Sequence, residues 1–351
     1  MIPKYLSLQN QIKEDIISKK YPLFSKLPTE VSLSEEYHVS RATVRQALSL
    51  LEKEGIIEKR WGSGNIIISA GLSSYKETVA LILPDDTEYR YKEIKEDCLS
   101  LLYREKLKLK VFNTKNNLNN EREILEEILR NTYAGVIVEP VKSALPSINK
   151  DYYQQLLRRR VPTVFLHNTI LPNQPVLFAV ADNYNAGYQL ARHLINKGHK
   201  NLGAIFKSDD AAGSKRYQGF SEALRDSNLP LCEDHIYWYT SNDIQGKKPF
   251  SFIQNIDFSI KEITGMVCFN DQIAFHLIEH LQALKINVPE DIAVVGIDDD
   301  YYAQASTPGI TTLSLTRDIG KEAADLLISK LNNKARESVT IPWHLVIRES
   351  S

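Results

Sequence analysis

The stretch LPTEVSLSEEYHVSRATVRQALSLLEKEGIIEKRWGSGNIIIS, Leu27–Ser69, decides the fold of the amino-terminal part of this chain. Thr29 precedes a short helical segment and Ser40 a longer one. Both are residue types whose side-chain oxygen accepts a bond from an orphan N–H in the first turn of a helix. After Ser40 the apolar residues Val44, Ala47, Leu48 and Leu51 recur at i, i+3, i+4 and i+7, the stripe of an amphipathic helix. Gly55 closes it. Two β-prone runs, Ile56–Trp61 and Asn65–Ser69, flank Gly62-Ser63-Gly64 and read as a hairpin, or wing. Upstream, Pro3 is placed to open a third helix that carries Tyr5, Leu8, Ile12 and Ile16 at helical spacing.

In the helix after Ser40, Arg41 and Arg45 lie four residues apart and share the face opposite the apolar stripe. Thr43 and Gln46 flank them near the end where free N–H groups suit a phosphate. Arginine reads guanine bidentately in the major groove and glutamine pairs with adenine. Two arginines at this spacing more often mark a solvated face. The preceding capped helix, the SRATVRQAL core and the Gly-bounded hairpin together favour DNA. The expected contacts are Lys4, Ser40, Arg41, Thr43, Arg45 and Gln46 on the helices, with Trp61 and Ser63 at the wing tip. Charge alone would not argue this: residues 1–70 hold ten Lys/Arg against eight Asp/Glu, and the rest of the chain 33 against 36.

Ala70–Thr78, small and polar, is expected to be a linker. From Val79 onward, apolar β-branched runs alternate with amphipathic helical stretches. The strand candidates are 79–83, 108–112, 135–138, 163–166, 202–206, 266–269 and 292–297, and the helical ones 92–106, 120–130, 184–197, 215–227, 271–284 and 318–331. Continuous apolar strands between helices imply parallel sheets covered on both faces, and their number implies two doubly wound lobes. The expected class is α/β: a winged helix-turn-helix head (1–69), a linker (70–78) and a bilobal, periplasmic-binding-protein-like effector domain (79–351).

Cys98, Cys232 and Cys268 are far apart and belong to no CxxC or Cys/His ligand spacing, so no metal and no cofactor is expected. The first residues lack a secretory pattern and no apolar run approaches spanning length, so the expectation is a soluble cytoplasmic protein without a membrane partner.

Ligands of open α/β sheets collect beyond the carboxyl ends of the strands. There this chain places Asp85 and Glu88, Glu139, His167, Asn270 with Asp271, and Asp298, while Arg216 sits close to an expected helix start. A sugar needs this mixture, because each hydroxyl donates and accepts while the C–H face prefers an aromatic ring, here Tyr89, Tyr91 or Phe269. Each residue alone is more simply a cap or a solvated loop. As a ring of strand ends they favour a ligand site.

The combination LPTE, SRATVRQAL and the hairpin resembles the GntR class of winged helix-turn-helix repressors, although Gly64 is followed by Asn65-Ile66-Ile67 where that class usually has Thr-Phe-Val. VADNYNAGYQLARHLINKGHKNLGAI, KRYQGFSEAL, CFNDQIAFHLIEHL and VPEDIAVVGIDDDYYAQASTPGITTL resemble the effector domain of LacI/GalR repressors. That resemblance implies sugar contacts from Asn270, Asp298 and Arg216, and puts Asp182 in an element near the hinge. The domain order, with NNLNNEREILEEIL, GVIVEPVKSALPSINKDYY, AIFKSDDAAGSKRYQGF and DDDYYAQAS, is similar to the arabinose-responsive repressors of Gram-positive bacteria. It implies L-arabinose as inducer, contacts from Glu139 and Arg216, and a pocket wall at Glu88-Tyr89. The expected function is then a homodimeric repressor of sugar utilisation genes that leaves a palindromic operator when sugar binds. The alternatives are another pentose or hexose, activation instead of repression, a periplasmic sugar-binding protein, and a glycoside-processing enzyme using Glu139 and Asp298. Against the last stands the absence of a phosphate loop, a metal cluster or a nucleophile motif.

Overall fold

The computed structural model describes residues 3–60, 64–69, 74–85, 89–171, 173–245, 248–258 and 262–351. The head contains α1 (Lys4–Ile17), α2 (Glu30–Glu36), α3 (Arg41–Lys53) and an antiparallel hairpin, β1 (Ile57–Arg60) with β2 (Gly64–Ile67). Its caps are the expected ones. Thr29 Oγ1 accepts from Ser32 N and Ser40 Oγ from Thr43 N, each at 3.2 Å. Gly55, at φ +68°, takes the left-handed turn after α3 that a side chain would strain. Leu8, Ile12, Ile16, Leu33, Val44, Ala47, Leu48, Leu51, Ile57 and Ile67 close into one core, so the stripe read along α3 packs inward.

The body is built from β3 (Ser74–Leu83), α4 (Tyr89–Arg104), β4 (Lys108–Asn113), α5 (Leu118–Arg130), β5 (Thr132–Val138), α6 (Lys150–Arg158), β6 (Thr163–Leu166) and β7 (Leu177–Ala181). Then follow α7 (Asn183–Asn196), β8 (Leu202–Lys207), α8 (Ala211–Asp226), β9 (Ile236–Tyr239), α9 (Ser241–Ile244), α10 (Ser251–Gln254), β10 (Gly265–Cys268), α11 (Asp271–Ala283), β11 (Ala293–Val295) and α12 (Tyr301–Ala305). The chain ends with β12 (Thr312–Leu315), α13 (Ile319–Leu331), β13 (Val339–Ile341) and β14 (Trp343–Val346).

One lobe holds a six-stranded parallel sheet, β13-β7-β6-β5-β3-β4, and the other a four-stranded one, β11-β10-β8-β9. Both are doubly wound, because strands buried on two faces need helices on each. The chain passes between lobes at β7 to α7, at β12 to α13 and at β13 to β14, so neither lobe is continuous in sequence. Asp182 N donates to Ile341 O (2.9 Å) where two of these passages run side by side.

The expected linker is shorter than read. Ser74–Thr78 belong to β3, with Ser74 and Tyr75 paired to Thr132 and Tyr133 of β5 before a register shift at Val79. Ser74 and Tyr75 pair with β5 and Thr78 with Lys108 of β4, each on one side only, so polar residues cost the extension little, and Tyr75 stacks on Tyr133 with ring centroids 4.6 Å apart. Head and body touch: Ser69 Oγ donates to Arg130 O (2.5 Å), and the Arg159 guanidinium lies 4.4 Å from the centroid of the Phe24 ring.

Candidate functional site

On α3, Arg41, Arg45 and Gln46 are exposed and Thr43 is half-buried; Lys4 stands exposed at the first residue of α1. Ser40 and Thr43 are occupied with each other, hydroxyl to hydroxyl at 2.8 Å, as part of the cap. Arg45 is not the unattached side chain that the spacing alone suggests. Its Nη2 and Nε donate to the two oxygens of Glu30 on α2, at 2.9 and 3.4 Å. The hydrogen bond from Arg45 holds the Glu30 carboxyl below its ordinary range, against the smaller effect of burial. Arg41 has no ion-pair partner among the described residues. Trp61 and Ser63 lie outside the described residues, and Arg60, at the near edge of that gap, pairs with Glu58 at 2.8 Å.

The carboxyl ends of the strands of both lobes face one cleft. It has a narrow inner part of about 20 Å³ and a wider outer part of about 500 Å³ that opens to solvent, the two sharing Asp85, Arg90, Ile244 and Gln245. Tyr91 and Glu139 line the inner part and Asn270 and Asp298 the outer one. Glu88 lies outside the described residues, as does the side chain of Tyr89, whose backbone starts α4.

Glu139 ends up in the cleft because β5 stops at Val138, and its N–H still pairs with Ile82 O of β3 (3.0 Å). Tyr91 donates its hydroxyl proton to Glu139 Oε1 (3.0 Å). Arg90 Nη2 donates to the Tyr91 oxygen (2.6 Å) and stands 3.8 Å from Glu139 Oε1. His167 follows β6 in a left-handed conformation, φ +55°, with Nε2 3.7 Å from Glu139 Oε2. Burial, and after it the Arg90 charge, pushes the imidazole down to about 3, so at neutral pH the ring that approaches Glu139 is neutral.

In the other lobe Arg216 is 4 % exposed. Its Nε donates to Asn183 Oδ1 (2.9 Å), Nη1 to the Phe269 carbonyl, and Nη2 is 3.9 Å from Asp298 Oδ1, with the guanidinium 4.5 Å from the Phe269 ring centroid. Burial lowers its proton affinity and the Asp298 charge opposes that. Arg216 is held here by backbone contact between α7 and α8. A Cβ on Gly187 would fall 1.9 Å from Arg216 O, and one on Gly219 1.9 Å from Tyr184 O. Asn270 caps α11, accepting from Ile273 N (3.1 Å), and Asp298 stands at φ +111°.

Arg216, Phe269 and His167 therefore stand behind the lining rather than in it. Asp182 stands at a lobe crossing, near the hinge as its element implied; its carboxylate caps α7, accepting from Asn185 N (3.1 Å), and it lines neither part of the cleft. A helix opening directly after a lobe crossing takes that side chain for its own N–H groups.

Several residues of the cleft went unread. Arg90 bridges the Tyr91 and Glu139 network, and Lys207, Asp209, Asp210 and Ser143 complete the inner wall. Asp300, on the outer wall, caps α12 by accepting from Tyr302 N (2.8 Å). Burial, followed by repulsion from Asp298, pushes its carboxyl up to about 7. The acidic run Asp298-Asp299-Asp300 was the available signal for it; for Ser143 there was none. Among the described residues no group of His, Cys, Asp and Glu is arranged to hold a metal ion, and no helix is long and apolar enough to cross a membrane.

Comparison with known proteins gives the two parts separate matches. Residues 4–67 match the gntR family of bacterial regulatory proteins, and residues 191–351 match the periplasmic binding protein-like domain. The arabinose metabolism transcriptional repressor of Halalkalibacterium halodurans is 32 % identical, over 100 % of this chain and 97 % of that one. The protein of the same description from Geobacillus stearothermophilus is 31 % identical, over 96 % and 94 %. Among solved structures, a transcriptional regulator CelR in complex with cellobiose superposes with a TM-score of 0.69 at 21 % identity, covering 93 % of this chain and 100 % of that one. A periplasmic binding protein/LacI transcriptional regulator from Alkaliphilus metalliredigens, complexed with D-xylulofuranose, gives 0.64 at 22 %, covering 78 % and 99 %. At those identities the structures speak to fold alone.

Proposed function

The chain belongs to the family of arabinose metabolism transcriptional repressors, with a GntR-type head on a periplasmic-binding-protein-like body, and from that premise we propose that it is a cytoplasmic homodimer repressing sugar utilisation genes, with L-arabinose as its inducer. Two heads, one per subunit, would hold the halves of a palindromic operator through Arg41, Arg45, Thr43 and Gln46, with Lys4 on a phosphate. The observation that carries the sugar reading is the lining of the inner cleft, walled by Glu139 and Tyr91 from one lobe and by Lys207 and Asp210 from the other. The adjoining outer part, about 500 Å³, lies within the roughly 300–1,000 Å³ of small-molecule pockets, and the charged acceptors and donors of the two parts suit a small polyhydroxylated ligand.

Sugar held by both lobes favours the closed arrangement, and closure alters the spacing of the two heads. Moving an equilibrium from 1:99 to 99:1 requires about 5.5 kcal/mol of differential binding, which two sites per dimer can share. The test is fluorescence anisotropy on an operator that the protein itself selects from random duplexes. L-arabinose should release it, with xylose, ribose, fucose and galactose as comparisons. If a different sugar releases the DNA, the repressor reading stands and the inducer assignment fails; if none does, the sugar switch fails.

A further inference from the structure

The loop after β5 reaches across the cleft. Ser143 Oγ accepts a hydrogen bond from Ala211 N (3.0 Å), the first residue of α8 in the opposite lobe, and its hydroxyl is directed at Asp210 Oδ1 (3.4 Å). Beside it Ala144 N meets Asp209 O at 3.5 Å. The first N–H groups of a helix lack intrahelical partners. Asp210 caps α8 in the ordinary way by taking Ala212 N (2.9 Å), so Ser143 supplies a second acceptor from the other lobe.

The loop that carries Ser143 is anchored to its own lobe. Glu121 is wholly buried in α5, and its carboxylate accepts from Val141 N (2.9 Å), Asn149 Nδ2 (2.7 Å) and the Tyr153 hydroxyl (2.7 Å), gripping the loop at both ends. Asn168 Nδ2 holds Ser143 O at 3.4 Å. Ser143 is thus a rigidly presented hydroxyl whose bonds to α8 exist only while the lobes are close. It lines the inner cleft with Glu139.

We propose that Ser143 is a positioning residue for the sugar switch: it caps α8 from the opposite lobe, keeps part of the sugar-free population closed, and so sets the sugar concentration at which the switch responds. This rests on the reading that L-arabinose binds between the lobes. A ligand's apparent affinity scales with the fraction of protein already in the competent state. One hydrogen bond of ordinary net strength alters that fraction by roughly 2–10-fold.

The test compares full-length wild type with Ser143→Ala and Ser143→Thr. Small-angle scattering gives the radius of gyration without and with saturating L-arabinose, and calorimetry gives the L-arabinose dissociation constant. Ser143→Ala should be more extended without sugar, return to the wild-type radius when saturated, and bind L-arabinose about 2–10-fold more weakly. Ser143→Thr, which keeps the hydroxyl, should restore both values. An alanine variant with wild-type radius and affinity overturns the proposal, as does a threonine variant as defective as alanine. If wild type fails to bind L-arabinose, the inducer assignment fails, while the sugar-free radii still decide whether Ser143 holds the lobes together.

Discussion

Arg45 Nη2 donates to Glu30 Oε2 at 2.9 Å, so α3 presents one of its two arginines already paired with a carboxylate of the preceding helix. If α3 reads DNA as proposed, DNA would have to win that guanidinium from Glu30, whereas no such competitor faces Arg41 among the described residues. Arg45→Ala should weaken operator binding by about 10–100-fold, the worth of roughly 1–3 kcal/mol for a bidentate base contact. Glu30→Gln should instead raise affinity for unrelated duplex DNA, with little change in melting temperature because exposed ion pairs contribute about 0–1 kcal/mol. Anisotropy on operator and scrambled duplexes at one salt concentration separates the two. Unchanged affinity in both variants removes Arg45 from the interface.

Glu139 is the acceptor around which Tyr91 and Arg90 are organised. Glu139→Gln keeps its shape and removes its charge. Hydrogen bonds to charged groups are worth about 1.5–3 kcal/mol, so sugar affinity should fall by about 10–100-fold. The variant should stay on operator at sugar concentrations that release wild type. Wild-type response in a titration with L-arabinose would place the sugar elsewhere.

Gly187→Ala puts a methyl 1.9 Å from Arg216 O. Both partners there are helix backbone, so α7 and α8 must separate and carry Arg216 away from Asp298. Overpacking of this kind costs typically about 1–3 kcal/mol. A lower melting temperature together with weaker sugar binding is expected; Gly198→Ala, strained by its φ of +98° in a surface turn with nothing within 4 Å of the added atom, should lower the melting temperature and leave sugar binding unchanged.

Asp300 makes stability depend on pH. Its carboxyl rises from 3.8 to about 7 on folding, chiefly through burial and then through Asp298. The folded state therefore holds this proton more tightly than the unfolded one, and the contribution is complete below pH 3.8 and is lost progressively as pH rises through about 7. Asp300→Asn retains an oxygen for Tyr302 N and carries no charge. Its melting temperature should exceed that of wild type at pH 8, with the gap narrowing toward pH 5. A constant gap across that range would mean that Asp300 does not titrate there.

The head was legible because local signals agree: two hydroxyl caps, one apolar stripe and a Gly-bounded hairpin all specify the same three helices and wing. The continuous apolar strands were legible for a similar reason. Ser74–Thr78 were not, because strand pairing on one side of a sheet tolerates polar residues that composition assigns to a linker. Nor were β7, β9 and β12 to β14, short strands that are only partly buried and so carry a weaker apolar signal. In the cleft, Glu139, Asn270 and Asp298 follow directly from strand ends. Arg45's engagement with Glu30, the seclusion of Arg216 and the reach of Ser143 to Ala211 depend on distances between elements, which no spacing along one element encodes.

The three passages between the lobes also set an order of events during synthesis. The head is complete once residue 67 has emerged, and domains made first generally fold first. The first lobe, begun at Ser74, lacks its edge strand until Ile341 has left the ribosome. For most of translation, then, a finished head is tethered to an unfinished sensor. A chain cut anywhere between residues 67 and 341 would carry a whole head and a first lobe without its edge strand.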